Sequence, residues 1–410
     1  MTDLLKPRDA RDVEAGVQWA LGEGKALEIV GQGSKRAIGR PAQTDLTLDM
    51  SGLSGVTLYE PEELVLSARA GTPIAEIEAL VASQGQQLAF EPMDYGPLLG
   101  GPAGHGTIGG VLAANLAGPR RIKAGAARDH FLGFAAVSGR GETFKSGGRV
   151  VKNVTGYDLC KLMAGSWGTL AAMTEVTVKV LPRADSESTV LVLGLEDAVA
   201  VRAMTSAMAL PCDVSGAAHL PGPAAIRIPM GEAIAGGRAL TAFRLEGVAP
   251  SVAHRKAVLS AALQGSGEVA SCADMVSRGL WRAIRDAMPF AASRTAGDQP
   301  LWRISTAPSQ GAKLAQAISA AADAEVFYDW AGGLVWALLE RTDDAGAAVL
   351  RRAVKACGGH ATLVRAPAAV RAAVDVFEPQ DVALAALTQR VKDGFDPKAV
   401  LNPGRMWAGS

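Results

Sequence analysis

Seven of the fifteen residues from 96 to 110, GPLLGGPAGHGTIGG, are glycine, and Val111 to Leu116 follow directly with helical character. Glycine loses more backbone freedom on ordering than any other residue, so a packed segment would avoid this density. Pro92, Pro97 and Pro102 stiffen the same stretch. A glycine loop leading into a helix start offers bare amides and the positive end of a helix dipole, an arrangement suited to a diphosphate. A flexible surface loop is the alternative reading. Thr107 stands where it would cap the helix or donate to a phosphate, and Asn115 is open to a structural or a ligand role.

Two further glycine turns share the first part of the chain. Gly31-Gln32-Gly33-Ser34-Lys35-Arg36 follows the short apolar run 26–30. Its successive amides, the Ser34 hydroxyl and the Lys35 ammonium could converge on an anion, or the segment could be an ordinary turn at a strand end. Neither a P-loop nor a dinucleotide fingerprint fits, because the G-x-x-x-x-G-K-[ST] spacing of the first is absent and so are the third glycine and following helix of the second. Ala164-Gly165-Ser166-Trp167-Gly168-Thr169 precedes the alternating run Thr169 to Leu181 and reads equally as a turn or as a place where a flat ligand meets the backbone. Residues 1–182 hold 27 of the 47 glycines, which directs the search for function to that part.

The rest of the pattern predicts a helix over 9–23, strands over 46–50 and 64–70, and a helix opening at Pro73 and ending near Gly85. A hairpin is expected over 131–145, with its turn at Gly139 to Gly141. Beyond Pro182 the chain is alanine-rich, with a strand over 189–195, a helix over 195–209, and strand–helix pairs near 239–264 and 334–357 but no legible repeat. Such alternation argues for α/β or α+β structure. At roughly 150 residues per domain, 410 residues suggest two or three units.

Lys and Arg number 41, as do Asp and Glu. The resulting zero net charge removes the broad attraction a nucleic-acid or anionic-membrane binder would show. Cys160, Cys212, Cys272 and Cys357 form no CxxC pair, which fits a reduced, cytoplasmic chain. No apolar run approaches the ~18 residues of a membrane helix, and the N-terminus lacks a secretory pattern, so direct membrane insertion is not expected. Histidines 105, 130, 219, 254 and 360 show no metal-ligand spacing, so no metal is assigned. His105 lies inside the glycine loop, and the other four read as incidental. Arg120, Arg121, Lys123, Lys145, Arg149, Lys152 and Lys161 form either a solvated face or a docking face for an acidic partner.

The three loops in this order, with the long strand and the ending DPKAVLNPGRM at 396–406, resemble the vanillyl-alcohol-oxidase (VAO) type of FAD flavoprotein, with its PCMH-type FAD-binding domain. More narrowly, DYGPLLGGPAGHGTIGGVLAANLAGP at 94–119 and GGRVVKNVTGYDLCKLMAGSWGTLAAMTEVTVKVLP at 147–182 resemble the E-subunit family of bacterial glycolate oxidase. The resemblance is close to about residue 195 and again at the C-terminus; between them it rests on position alone.

The resemblance implies an α+β chain: an FAD domain of two α+β subdomains over 1–182, an α/β cap over 183–375, and a segment 376–410 returning to the FAD domain. It places FAD contacts on Gly31, Gln32, Gly33, Ser34 and Lys35, on Gly106, Thr107, Ile108, Gly109, Gly110 and Asn115, and on Gly165, Gly168 and Val176. The first loop lacks the histidine that relatives use for covalent attachment, so non-covalent FAD is expected. Hydroxy-acid-oxidising relatives carry paired histidines and an acid that this chain lacks, and no catalytic residue is assigned. The expected role is therefore an electron-transfer subunit in glycolate-to-glyoxylate oxidation. Its hetero-oligomeric partners are a D-type flavin subunit and an iron–sulfur subunit, and any membrane association comes through them. A self-sufficient 2-hydroxy-acid dehydrogenase, with His105 or a cap residue as base, and a scaffold with a degenerate flavin site are the alternatives.

Overall fold

The computed structural model describes residues 3–149 and 156–409. Lys152, and residues 150–155 of the second quoted motif, lie outside the described residues.

The opening helix, Ala10–Glu23, is capped by the Asp9 carboxylate and stops at Gly24, whose left-handed backbone closes the last turn. Its buried positions Val13, Val17 and Ala20 lie on one stripe and cover a small parallel sheet ordered Asp3–Leu5, Leu46–Asp49, Leu27–Val30. The C-terminal segment joins this sheet. Leu401 bridges to Leu27, the Leu27 amide donates to the Val400 carbonyl, and the Asn402 amide donates back to Leu27. Buried Asp396 shapes that segment by accepting from the Val400 and Leu401 amides and from Lys392 Nζ at 2.6 Å.

A five-stranded antiparallel sheet follows, in the order Val56–Glu60, Val65–Arg69, Ala171–Lys179, Phe131–Ser138, Thr143–Gly147. The alternating run before Pro182 thus becomes a central strand. The hairpin is the expected one, and the helix at Pro73 spans Ile74–Ser83.

Beyond Pro182 one eight-stranded sheet runs Glu268–Ala273, Ser186–Leu193, Leu240–Gly247, Gly216–Leu220, Ala324–Asp329, Leu334–Leu339, Leu301–Ser305, His360–Arg365. The strand–helix alternation expected there is realised with every neighbouring pair antiparallel. Each half is a strand-helix-strand-strand-helix-strand unit with its strands in the same spatial order, and the halves join edge to edge at His219 and Tyr328. Side chains alternate across the sheet. Val190 and Val192 face the helices Asp197–Met208 and Ala249–Leu263, while Leu191 and Leu193 belong to a core continuous with Phe90, Leu98 and Phe134 of the first part.

Paired charges lock this sheet onto the N-terminal region. Arg244 donates to both oxygens of Glu91 at 2.8 and 2.9 Å, and Arg120 donates to both oxygens of Glu246 at 3.0 and 2.8 Å. Burial would raise Glu246, but Arg244 and Arg120 outweigh it and hold its carboxyl down at about 2. The Trp330 indole donates to the Gly118 carbonyl at 2.9 Å, and Arg365 donates to Leu98 at 2.8 Å. This changes the reading of the basic run: Arg120 is buried in the interface, Arg121 lies over the Trp330 ring, and Lys123 and Lys161 pair with Asp213 and Asp158.

Candidate functional site

The strand Leu27–Val30 delivers the first loop to a cleft. The loop closes on itself when the Arg36 amide donates to Gly33 and the Ile38 amide to Lys35. Gly31 packs directly on the second loop, where a Cβ would overlap Thr107 Oγ1. Two segments far apart in sequence therefore touch only because one of them has no side chain.

In the second loop the Asp94 carboxylate gathers the chain, accepting from the Gly96 amide at 2.9 Å and the Gly104 amide at 2.6 Å. Thr107 caps a short helix, Ile108–Ala113, by accepting from the Gly110 amide. The helix thus starts three residues before Val111 and ends sooner than the pattern suggested, because Asn115 turns into a left-handed conformation with φ 49°. Gly109 donates to the Ala70 carbonyl, and a Cβ there would sit 2.8 Å from that oxygen. The third loop is held by Asn402, which accepts from the Ile29 amide and donates to the Trp167 carbonyl, each at 2.8 Å.

Of the residues singled out from sequence, Gly31, Gln32, Gly33, Ser34, Lys35, Thr107, Gly109, Gly110 and Gly168 line one cleft enclosing about 720 Å³, solvent at its mouth included. Asn115 and Gly165 line an adjoining cleft that shares Ala114 and Trp167 with the first. Gly106, Ile108 and Val176 reach neither. They are buried, with Gly106 accepting from the Ile74 amide and Val176 paired between Ala68 and Phe134 in the five-stranded sheet. His105 is exposed and lines neither cleft.

Lys35 is half-buried in the wall of the first cleft, and among the described residues its ammonium donates to Ser34 Oγ at 3.3 Å. Burial pushes its ammonium down to about 8, with Arg405 adding to the effect and Asp94 opposing it. Arg405, from the C-terminal segment, lines the same cleft and donates to the Lys35 carbonyl at 3.0 Å. Its buried Nε has no acceptor among the described residues, and burial pushes the guanidinium down to about 10. Two cations held at such cost, walled by glycines, fit a diphosphate-bearing ligand.

The adjoining cleft lies against the eight-stranded sheet. Arg303 and Thr362 are opposite one another on paired strands, and His360 is two residues from Thr362, so all three share one face. Tyr95, Trp167 and Phe377 complete this wall. Burial pushes the His360 imidazole down, Arg303 pushes the same way, and Glu378 opposes. In the sequence His360 reads as incidental, and nothing there singles out Arg303, Tyr95 or Arg405. No local pattern marks these residues, and strand pairing alone brings the first two together. Among the described residues, no group of three His, Cys, Asp or Glu is placed to hold a metal, and no helix is long and apolar enough to cross a membrane.

Residues 3–147 match the family model of an FAD binding domain. Over 394 residues the chain is 34% identical to the glycolate oxidase subunit GlcE of Escherichia coli (strain K12), covering 96% of this chain and 95% of that one. The glycolate oxidase subunit GlcD of Bacillus subtilis (strain 168) is 31% identical over 153 residues, 37% of this chain and 31% of GlcD. In fold, the chain superposes on the VAO-type flavoprotein MtVAO615 of Myceliophthora thermophila C1 with a TM-score of 0.66, covering 97% of this chain and 78% of that one at 17% identity.

Proposed function

The chain belongs to the family of the glycolate oxidase subunit GlcE, and from that premise we propose that it is the FAD-holding subunit of a complex that oxidises glycolate to glyoxylate. Its partners are a D-type flavin subunit and an iron–sulfur subunit, and its place in the cell is cytoplasmic, with any membrane attachment supplied by the complex. Bound FAD would take electrons from the D-type subunit, where the hydride of the hydroxy acid is received, and pass them on towards the iron–sulfur subunit.

The chain's own residues do the holding. Lys35, Ser34 and the bare amides around Gly31, Gly33, Gly109 and Gly110 receive the diphosphate, with Arg405 behind them. Asn115, Gly165 and Trp167 adjoin the second cleft, where the flavin ring has room against the eight-stranded sheet. The observation that carries the reading is Lys35, a half-buried cation whose hydrogen-bond acceptor among the described residues is the Ser34 hydroxyl, in a wall built from three glycine loops.

A second reading, a chain that oxidises the hydroxy acid itself, is favoured by Arg303 and His360. They set a cation for a carboxylate near an imidazole whose protonation is disfavoured by desolvation and by Arg303, a group suited to accept a hydroxyl proton. Flavin content and anaerobic reduction decide between the two. The subunit reading expects stoichiometric flavin uptake, no bleaching by glycolate alone, and bleaching once the D-type subunit is added. Bleaching of the isolated chain selects the second reading, and failure to take up flavin removes both.

A further inference from the structure

A separate cleft, sharing Arg36 and Arg405 with the first, encloses about 1210 Å³ with its open mouth included. Four arginines from three parts of the chain converge on it. Arg36 and Arg40 come from the segment after the first glycine loop, Arg371 from the short helix Ala368–Ala373, and Arg405 from the C-terminal segment. Two carboxylates share the lining, and both are engaged. Glu28 pairs with Arg36 through both of its oxygens and lies 4.0 Å from Arg405 Nη1. Asp45 accepts from Lys25 at 3.1 Å and from the Ala26 amide at 2.9 Å.

Arg36 also donates to the Thr47 hydroxyl at 3.4 Å, and the hydrogen bonds of the other three guanidinium groups go to backbone carbonyls. Arg371 donates to Gly39 at 2.6 Å and to Ala366 at 3.2 Å, Arg405 to Lys35 at 3.0 Å, and Arg40 to Val374 at a long 3.4 Å. A guanidinium carries five N–H donors in a planar fork, so most of the donors on these three meet no acceptor among the described residues. Arg405 is the telling member: it is 6% exposed, and its Nε meets no acceptor among the described residues. Burying like charges together in this way is unfavourable until an anion joins them.

We infer that this arginine-lined cleft binds a small multivalent anion, phosphate-bearing or polycarboxylate, and that the bound anion opposes FAD binding. The fork geometry of guanidinium matches both carboxylate and phosphate oxygens. The opposition follows from shared groups, since Arg36 and Arg405 line both clefts. An anion in this cleft neutralises part of the field that the FAD diphosphate meets in the first, and the coupling is reciprocal. This second half rests on the FAD reading above; the binding half does not.

The test titrates citrate, and separately inorganic pyrophosphate, calorimetrically into the full chain saturated with FAD, where the first cleft is filled. Saturable one-to-one binding of at least one probe is expected, weakened tenfold or more by Arg40→Gln. That side chain makes one long hydrogen bond, so the variant should fold, as its flavin absorbance will report. Lys123→Gln removes an equal charge elsewhere on the surface and should leave the binding unchanged. Binding of citrate alone names a polycarboxylate, binding of pyrophosphate alone names a phosphate compound, and both support the site. At saturating probe the FAD Kd should rise three- to tenfold in the native chain and not in Arg40→Gln. Heats that do not saturate, or that fall equally in Arg40→Gln and Lys123→Gln, overturn the site; an unmoved FAD Kd overturns the coupling. If the chain takes up no flavin, the FAD reading fails by itself, and the same titration on the bare chain with Arg40→Gln still decides the cleft.

Discussion

Replacing Lys35 by methionine should make the flavin-free protein more stable and the flavin complex weaker. Desolvation in the cleft wall pushes the half-buried Lys35 ammonium down to about 8 from 10.5. At about 1.4 kcal/mol per pH unit, keeping it charged in the folded chain costs up to about 3.5 kcal/mol, less whatever water in the cleft screens. Because the folded value is depressed, the native state binds fewer protons than the unfolded one between pH 8 and 10.5. Stability therefore rises across that window, and the full cost applies below pH 8. Methionine keeps the length of the side chain and removes the charge, so at pH 7 the flavin-free variant should unfold at higher denaturant than the native protein, and its alkaline slope should flatten.

The effect on FAD has the opposite sign. A hydrogen bond to a charged group contributes about 1.5–3 kcal/mol, so FAD affinity should fall roughly 10- to 150-fold. Guanidinium unfolding of the flavin-free protein at pH 7 and 9.5, paired with FAD titration by fluorescence quenching, measures both arms. A variant less stable at pH 7 with unchanged FAD affinity would refute the reasoning, since it would make Lys35 a structural residue satisfied without a ligand.

Four other outcomes follow from the same physics. FAD affinity in the native protein should be level below pH 7 and decline as pH rises through about 8, where Lys35 loses its proton; Lys35→Met should lack that decline, which FAD titrations across pH would show. Gly109→Ala places a Cβ 2.8 Å from the Ala70 carbonyl, with overpacking of about 1–3 kcal/mol, whereas Gly33→Ala meets open space and carries only the roughly 1–2 kcal/mol of its left-handed backbone; unfolding midpoints should rank the two accordingly. Arg244→Met leaves Glu91 buried without its main partner and should destabilise the interface by about 3–5 kcal/mol, seen as an earlier unfolding transition and faster proteolysis. Burial raises the Asp329 carboxyl to about 7 from 3.8, so its contribution is complete below pH 3.8 and lost as pH rises through 7. Asp329→Asn should accordingly add up to about 4 kcal/mol at pH 8 and nothing near pH 3.5, as denaturant titrations at the two pH values would show.

The first cleft was legible because its chemistry is local. Glycine is required where Gly31 meets Thr107 and where Gly109 meets Ala70, and both needs leave a mark in a single stretch of chain. The adjoining cleft was not, because Arg303 and His360 become neighbours only through antiparallel pairing of Leu301–Ser305 with His360–Arg365. Nothing near either residue in sequence distinguishes it from the arginines and histidines of other strands. The doubled unit in the eight-stranded sheet is hidden for a related reason. Its two halves share strand order and helix placement, which any suitably alternating apolar pattern can meet, so no residue is forced to repeat. Val176 shows the opposite error: its place in a familiar stretch suggested a ligand contact, and pairing put it in the core between Ala68 and Phe134.

A chain with 41 basic and 41 acidic residues has no net charge to give away, so where it leaves cations unmatched is informative. At the interface of the sheet with the N-terminal region, Arg120 and Arg244 meet Glu91 and Glu246, two against two, and every carboxylate oxygen is bound. Such a ring needs no further partner and fixes the wall that carries Arg303 and His360. Around the clefts the balance fails: Lys35 and Arg405 face one, and Arg40, Arg371 and Arg405 the other, with backbone carbonyls as their main acceptors. If those cations were there for stability, pairing them as the interface pairs its own would have served better. Arg405, held against both clefts with one donor unanswered, is the residue on which a ligand for either would be felt by the other.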